Sequence, residues 1–240
     1  MKITVLTLFP EFFDSFISTS IIKRAIDRNL VSFETVDFRA YTLDKHHHVD
    51  DTPCGGGQGM LLSCQPIVDC IKAVRTERSV VVMMSPQGKT FQQQTAHEFA
   101  QFEHLILLCG HYEGFDERIR DYVDIEVSLG DFVLTGGEAA ALVISDAIIR
   151  LLNGVILSES HEDDSFENGL LEYPQYTRPI EYDGKRVPDV LLSGHHANIR
   201  KWRLKQSLLR TMEKRPDLLE HRTFTKEETK LMKEIMEEKA

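Results

Sequence analysis

The chain has 240 residues, 42% of them hydrophobic and 28% charged, with a formal net charge of −10 at pH 7. That length holds one large domain or two small ones, and the composition is that of an ordinary soluble globular protein. The negative balance argues against general affinity for nucleic acid, and no apolar run approaches the roughly 20 residues that span a bilayer.

Residues 2–8 read as a first core strand. The opening MKITVLTLFPEFFDSF turns acidic early and lacks the small-residue cleavage site of a signal peptide. A short helix is predicted over 20–29 and a second strand over 31–38. Residues 44–60, DKHHHVDDTPCGGGQGM, form a loop long enough to suspect function. Residues 66–78 have helical spacing, with Ile67, Cys70, Ile71 and Val74 on one face. A strand over 80–84, a helix over 91–102, a strand over 105–109, a helix over 115–122, a strand over 125–128 and a helix over 138–152 follow. Alternating strands and helices imply an α/β fold, with a mostly parallel sheet covered on both faces.

The texture then changes. Residues 153–169 are acidic and poor in either periodicity, which reads as a linker or mobile loop. Residues 174–194 carry Pro and Tyr and read as irregular with short strands. A long helix is predicted over 195–215, interrupted by Pro216, and a last helix over 225–238, with Thr223 or Thr225 as its N-cap. The charge is uneven: residues 195–240 carry 12 Lys+Arg against 8 Asp+Glu, and the rest 16 against 30. The stretch 198–215 holds seven cations against the single acid Glu213. It is either a basic face for a polyanion or a solvated amphipathic helix that buries Trp202, Leu204, Leu208 and Leu209.

Cys54, Cys64, Cys70 and Cys109 show no C-x-x-C spacing, which fits free thiols in a reduced cytoplasmic setting. His46, His47 and His48 beside Asp44, Asp50 and Asp51 resemble metal ligands in composition. Contiguous histidines lack the geometry of a preformed site, so no metal site is expected there.

Three Gly-bearing loops each follow a predicted strand: Ser85-Pro86-Gln87-Gly88, then 109–114 (CGHYEG), then 130–137 (GDFVLTGG). Loops at the carboxyl ends of neighbouring parallel strands are where open α/β sheets bind ligands, and glycine lets backbone approach closely. Together they predict one composite pocket. No G-x-G-x-x-G or G-x-x-x-x-G-K-[ST] is present, so the dinucleotide and P-loop fingerprints are missing. The loops hold acids (Glu113, Asp131, Glu138) and few cations. A ligand with a nucleoside part and a cationic centre therefore suits them better than one rich in phosphate. Two further candidates are weaker alone: Asp164 in the acidic run, a possible base on a lid, and Arg150 near a helix end, where a cation suits the dipole.

Taken together the motifs resemble the bacterial tRNA (guanine-N1)-methyltransferases, S-adenosylmethionine enzymes of the SPOUT class. The resemblance rests on Leu8-Phe9-Pro10-Glu11, Val49-Asp50-Asp51, Gly55-Gly56-Gly57-Gln58-Gly59-Met60, the three loops, Asp116-Glu117-Arg118, Asp164-Ser165-Phe166, Tyr176-Thr177-Arg178-Pro179 and Leu192-Ser193-Gly194-His195. It covers nearly the whole chain. It implies a deep trefoil knot, a homodimer with sites shared between subunits, and methylation of guanine 37 of tRNA, just 3′ of the anticodon. The implied domains are a knotted catalytic domain over 1–154, a flexible loop over 155–169 and a helical tRNA-binding domain over 170–240. By the same resemblance the methyl donor sits against Met84, Ser85, Pro86, Gly110, Glu113, Leu129, Gly130, Asp131, Phe132, Val133, Leu134, Gly136 and Gly137. Asp164 matches the general base and Arg150 the stabilising arginine, and Glu113 is implied to assist Mg²⁺. Cys54, Met83, Met84 and Ala139-Ala140 depart from the family pattern, which touches packing rather than the reaction. A non-catalytic RNA-binding sensor of S-adenosylmethionine, and an enzyme using a nucleotide phosphate donor, remain as alternatives.

Overall fold

The computed structural model describes residues 1–156 and 163–239. The chain divides into two compact units, Met1–Ser158 and Glu159–Ala240. Each is described by itself.

The first unit is built on strands β1 (Lys2–Thr7), β2 (Ser32–Asp37), β3 (Ser79–Thr90), β4 (His104–Leu108) and β5 (Ile125–Ser128). They form one sheet in the order β2-β1-β4-β3-β5, and every pair is parallel. The longer helices are α1 (Ser20–Asp27), α2 (Cys64–Val74), α3 (Gln93–Phe99) and α4 (Glu138–Ile149). Successive side chains of a strand point to opposite faces, and the core divides accordingly. Ile3, Val5, Val82, Leu105 and Leu107 pack with Ile22, Phe99, Ile144, Ile148 and Ile149 from α1, α3 and α4. Leu6, Val81, Met83, Ile106 and Leu108 pack with Ile67, Val68 and Ile71 from α2. Burial on both faces explains why these strands are continuous apolar runs in the sequence.

Three elements differ from expectation. β3 is twelve residues long, where the apolar run suggested five ending at Met84. Its pairing with Val127 jumps from Met84 to Lys89, so residues 85–88 bulge out of a strand that then resumes. α2 begins at Cys64, ahead of Pro66, because proline is tolerated in a helix's first turn. The predicted helix at 115–122 is a six-residue 3-10 turn, Glu117–Tyr122, started by Asp116 accepting from the Arg118 amide. The polar stretch 44–60 is an excursion closed at its base, where Asp50–Asp51 pairs antiparallel with Leu61–Leu62.

In the second unit, α5 (His196–Lys214) and α6 (Lys226–Lys239) pack around Leu170, Leu208, Leu231 and Ile235. Thr225 and Glu228 cap α6 reciprocally: Glu228 N–H donates to Thr225 Oγ1 at 3.1 Å, and Thr225 N–H to Glu228 Oε2 at 2.7 Å. The Tyr-bearing segment contains a small exposed hairpin, Glu181–Tyr182 against Lys185–Arg186. Among the described residues no helix is long and apolar enough to cross a membrane.

Candidate functional site

The sheet brings the carboxyl ends of β4, β3 and β5 side by side. The bulge inside β3 and the two Gly-bearing loops that follow β4 and β5 enclose a cavity of about 400 Å³, a size suited to a small ligand. Met84, Ser85 and Pro86 line it from the bulge of β3. Gly110 and Glu113 line it from the loop after β4. Leu129, Phe132, Val133, Leu134, Gly136 and Gly137 line it from the loop after β5. Gly130 and Asp131 lie in that last loop but are not part of the cavity wall.

Glycines set how closely these loops approach one another. A Cβ on Gly137 would lie 2.7 Å from Cys109 Cα and 2.9 Å from the Gly110 nitrogen. The contact is made in backbone, with Gly137 N–H donating to Gly110 O at 2.9 Å. A Cβ on Gly59 would lie 2.4 Å from Glu113 Oε1, so the Gly-rich excursion leaves room for that carboxylate. Tyr112 holds φ +59°, a left-handed conformation uncommon for a bulky residue. It persists inside a tight turn, closed by Gly114 N–H to His111 O, and anchored by Glu113 N–H to Met60 O.

Several wall residues were not among the predicted contacts: Gln87, His111, Tyr112, Glu117 and Thr135, which lie in motifs read from the sequence, and Phe115 and Arg120, which do not. Arg120 is the only Lys or Arg among the lining residues. Its guanidinium is committed, with bonds to Glu126, to Glu117 at 2.9 Å and to Gln87 at 3.1 Å. Burial pushes the Glu126 carboxyl up, but hydrogen bonds from Ser85 and Arg120, together with the Arg120 charge, outweigh it and hold the pKa below the usual value. Beneath the wall, burial and then the nearby Glu138 charge push the Cys109 thiol well above its ordinary value, so it is a packing residue. The cavity thus offers backbone groups, an apolar rim at Phe132, Val133 and Leu134, and the acids Glu113 and Glu117. Such a wall suits a nucleoside-type ligand with a cationic centre, and it has no uncommitted Lys or Arg for a phosphate.

Arg150 follows the last residue of α4, at the opposite end of that helix from the cavity. Twelve residues at 1.5 Å each put about 18 Å between the two ends. Asp164 is half-buried in the second unit, and its carbonyl accepts from Glu167 N–H at 3.2 Å. Residues 157–162, which include His161 and Glu162 of the acidic run, lie outside the described residues.

The histidine run is organised by Asp44, which accepts from the His46 and His48 amides and sits 3.0 Å from His48 Nδ1. Among the described residues no group of three or more His, Cys, Asp or Glu is arranged to hold a metal.

In the second unit the cations of α5 meet acids of α6. Arg200 pairs with Glu227 at 2.9 Å, Lys201 with Glu234 at 3.2 Å and Lys205 with Glu238 at 2.6 Å. Arg203 lies over the Tyr173 ring and Arg215 pairs with Asp217. Three of the seven cations in that stretch are therefore paired with acids of a helix twelve residues further along the chain. Both open readings hold a part of this: Leu208 is buried, as the amphipathic reading required, and Arg200, Lys201, Lys214 and Arg215 are exposed.

The fold is a parallel α/β sheet whose cavity opens past the strand ends, with acids on its wall and Arg120 as its one lining cation. The comparison with known proteins makes the class particular. A sequence model described as tRNA (guanine-1)-methyltransferase TrmD matches residues 1–221. A tRNA (guanine-N(1)-)-methyltransferase of Clostridium botulinum strain Hall is 58% identical over 237 residues, 98% of each chain. That of Halalkalibacterium halodurans is 57% identical over 240 residues, again 98% of each. That of Aster yellows witches'-broom phytoplasma is 55% identical over 239 residues, 99% of each. The chain belongs to the tRNA (guanine-1)-methyltransferase family and is a methyltransferase.

Proposed function

We propose that this chain transfers a methyl group from S-adenosylmethionine to N1 of guanine 37 of tRNA. The observation that carries the reading is the composite cavity, in a chain of this family, whose wall combines an apolar rim, close backbone and two acids. The apolar rim suits an adenine, the backbone groups its polar edge, and Glu113 and Glu117 a sulfonium or ammonium charge. S-adenosylmethionine supplies the methyl cation and leaves as a neutral thioether.

The residues then answer to the chemistry of guanine. N1 carries a proton and is a weak nucleophile. As the N1–C bond forms and the S–CH₃ bond breaks, that proton passes to the Asp164 carboxylate. Negative charge building on O6 is met by the Arg150 guanidinium. Arg150 stands about 18 Å along α4 from its own chain's cavity, further than an arginine side chain extends. A site that uses Arg150 with this cavity therefore takes it from a second copy, which supports a homodimer with shared sites. Exposed Phe132, Val133 and Val143 supply apolar surface for such an association. The trefoil knot belongs to the same reading, supported by the return of the 130–137 loop onto Gly110 and His111.

The second unit is proposed to hold the tRNA. Its hairpin segment exposes Tyr176 and Tyr182 with Arg178, Lys185 and Arg186, a combination suited to base stacking and phosphate contact. A divalent ion such as Mg²⁺ would be held near Glu113 mainly by water and substrate, as one or two carboxylates usually suffice.

Asp164→Asn and Arg150→Ala test the assignment. Methyl transfer to unmodified tRNA falls about 10²–10⁴-fold in the first and about 10²–10³-fold in the second, with S-adenosylhomocysteine binding kept. Mixing Arg150→Ala chains with chains carrying a blocked cavity restores part of the activity, because one of the two shared sites then holds both intact halves. Undiminished transfer by both variants refutes the roles.

A further inference from the structure

One carboxylate ties together the walls of the cavity. Glu138 is the first residue of α4 and is 3% exposed. Both its oxygens are occupied: Thr7 Oγ1 donates to Oε1 at 2.6 Å, and His111 Nε2 stands 2.7 Å from Oε2. Thr7 Oγ1 in turn accepts from the Phe9 amide at 2.9 Å. The end of β1, the loop after β4 and the start of α4 therefore meet at one buried charge.

Among the described residues no lysine or arginine pairs with that charge. Its neighbours are the His111 ring, the Thr7 hydroxyl and the start of α4, whose free N–H groups carry partial positive charge. His111 is held from its other sides as well. Its ring packs edge-on against Phe9, with centroids 4.7 Å apart, and its backbone bridges to Gly136. A Cβ on Gly136 would lie 2.4 Å from His111 Nε2 and 2.6 Å from Glu138 Oε2. Gly136 is thus the residue that lets the pair form. His111 and Gly136 both line the cavity, and they belong to its second and third loops.

We propose that His111 is a positioning residue for the methyl donor: through Glu138 it fixes the spacing between the 110–114 and 130–137 loops. It acts by holding Gly110, Glu113 and the backbone of Gly136 and Gly137 in place, and takes no part in the proton transfer. The inference rests on the proposed reading of the cavity as the donor site.

The test is calorimetric binding of S-adenosylhomocysteine, together with steady-state kinetics and thermal unfolding, on the full chain. Gln presents an amide nitrogen where His presents Nε2, and Asn falls short of it. His111→Ala is expected to weaken S-adenosylhomocysteine about tenfold or more, since a buried carboxylate loses a hydrogen bond. KM for the donor should rise in parallel, while kcat at saturating donor stays within about threefold. His111→Gln should recover most of the binding and His111→Asn little. A purely structural role would lower the melting temperature and kcat together and show no preference for Gln over Asn. Binding by His111→Ala equal to that of the unaltered chain overturns the inference, as does equal recovery by Asn and Gln. If His111→Ala does not fold, the Gln and Asn variants decide by the same criterion. Failure of the unaltered chain to bind S-adenosylhomocysteine refutes the reading of the cavity itself, and the inference falls with it.

Discussion

Gly137→Ala places a methyl group where two backbones touch. The new Cβ would stand 2.7 Å from Cys109 Cα, 2.9 Å from the Gly110 nitrogen and 3.1 Å from Cys109 Cβ. Carbon atoms prefer about 3.5–4.0 Å, so the loops after β4 and β5 must separate by roughly 1 Å. None of these contacts is the far end of a flexible side chain, and Cys109 is itself fully buried. Overpacking of this kind costs about 1–3 kcal/mol. Stretching the Gly137 N–H bond to Gly110 O adds about 0.5–1.5 kcal/mol. The sum, about 1.5–4.5 kcal/mol, is a large part of a typical stability of about 5–15 kcal/mol. The variant still folds, but melts about 3–18 °C lower, at about 2–4 °C per kcal/mol for a chain of this size. Because both loops line the cavity, S-adenosylhomocysteine binding weakens with it. Scanning calorimetry and titration calorimetry on the same samples measure both. A melting temperature and an affinity unchanged from those of the unaltered chain would show that the loops are not in the contact described.

Three further outcomes follow from particular side chains. His104 is buried between strands, with Thr4 on Nε2 at 2.8 Å and Ser79 on Nδ1 at 2.7 Å; burial, then the Lys2 charge, hold its pKa below the ordinary 6.5, against an opposing pull from Glu34. The unfolded chain then binds the proton more readily, so stability falls as pH drops below about 6.5, by at most about 1.4 kcal/mol per pH unit for this group. Urea unfolding at pH 7.5 and 5.5 should show that loss, and His104→Gln should remove most of it. Thiol labelling of the folded protein should reach exposed Cys54 first, and reach Cys109 and Cys70 only on unfolding; burial and then Asp37 push the Cys70 thiol up to about 12. Ile148→Ala, at a fully buried position of α4, should cost about 2–5 kcal/mol by urea denaturation without changing which ligand binds.

Much of the first unit was legible because its strands are buried on both faces and therefore read as uninterrupted apolar runs. The strand over 125–128 was found to the residue, and 105–109 within one. What resisted reading were features fixed by contacts distant in sequence. The continuation of β3 through Lys89 and Thr90 depends on Val127 and Ser128 across the sheet, so a Gly-bearing bulge looked like a strand end. The wall positions of the cavity were concentrated in three loops that composition already marked. No role for His111 or Arg120 was legible because their partners, Glu138 for His111 and Glu126 and Gln87 for Arg120, lie elsewhere in the chain. The basic stretch of α5 is a related case: its cations were countable, but the pairing of Arg200, Lys201 and Lys205 with acids of α6 is visible only once the two helices pack. Asp164 and Arg150 carry no local signal that separates a base from a solvated acid, or an oxyanion partner from a helix-end cation. Their roles rest on the resemblance and on chemistry.

The most direct test of the account is methyl transfer itself. The purified full-length protein is incubated with unmodified tRNA transcript and isotope-labelled S-adenosylmethionine, and the RNA is digested to nucleosides and separated by mass spectrometry. The account predicts label in 1-methylguanosine, lost when the guanine just 3′ of the anticodon is replaced. Label on another base or ring atom, or no transfer by a protein that binds both ligands, would contradict it.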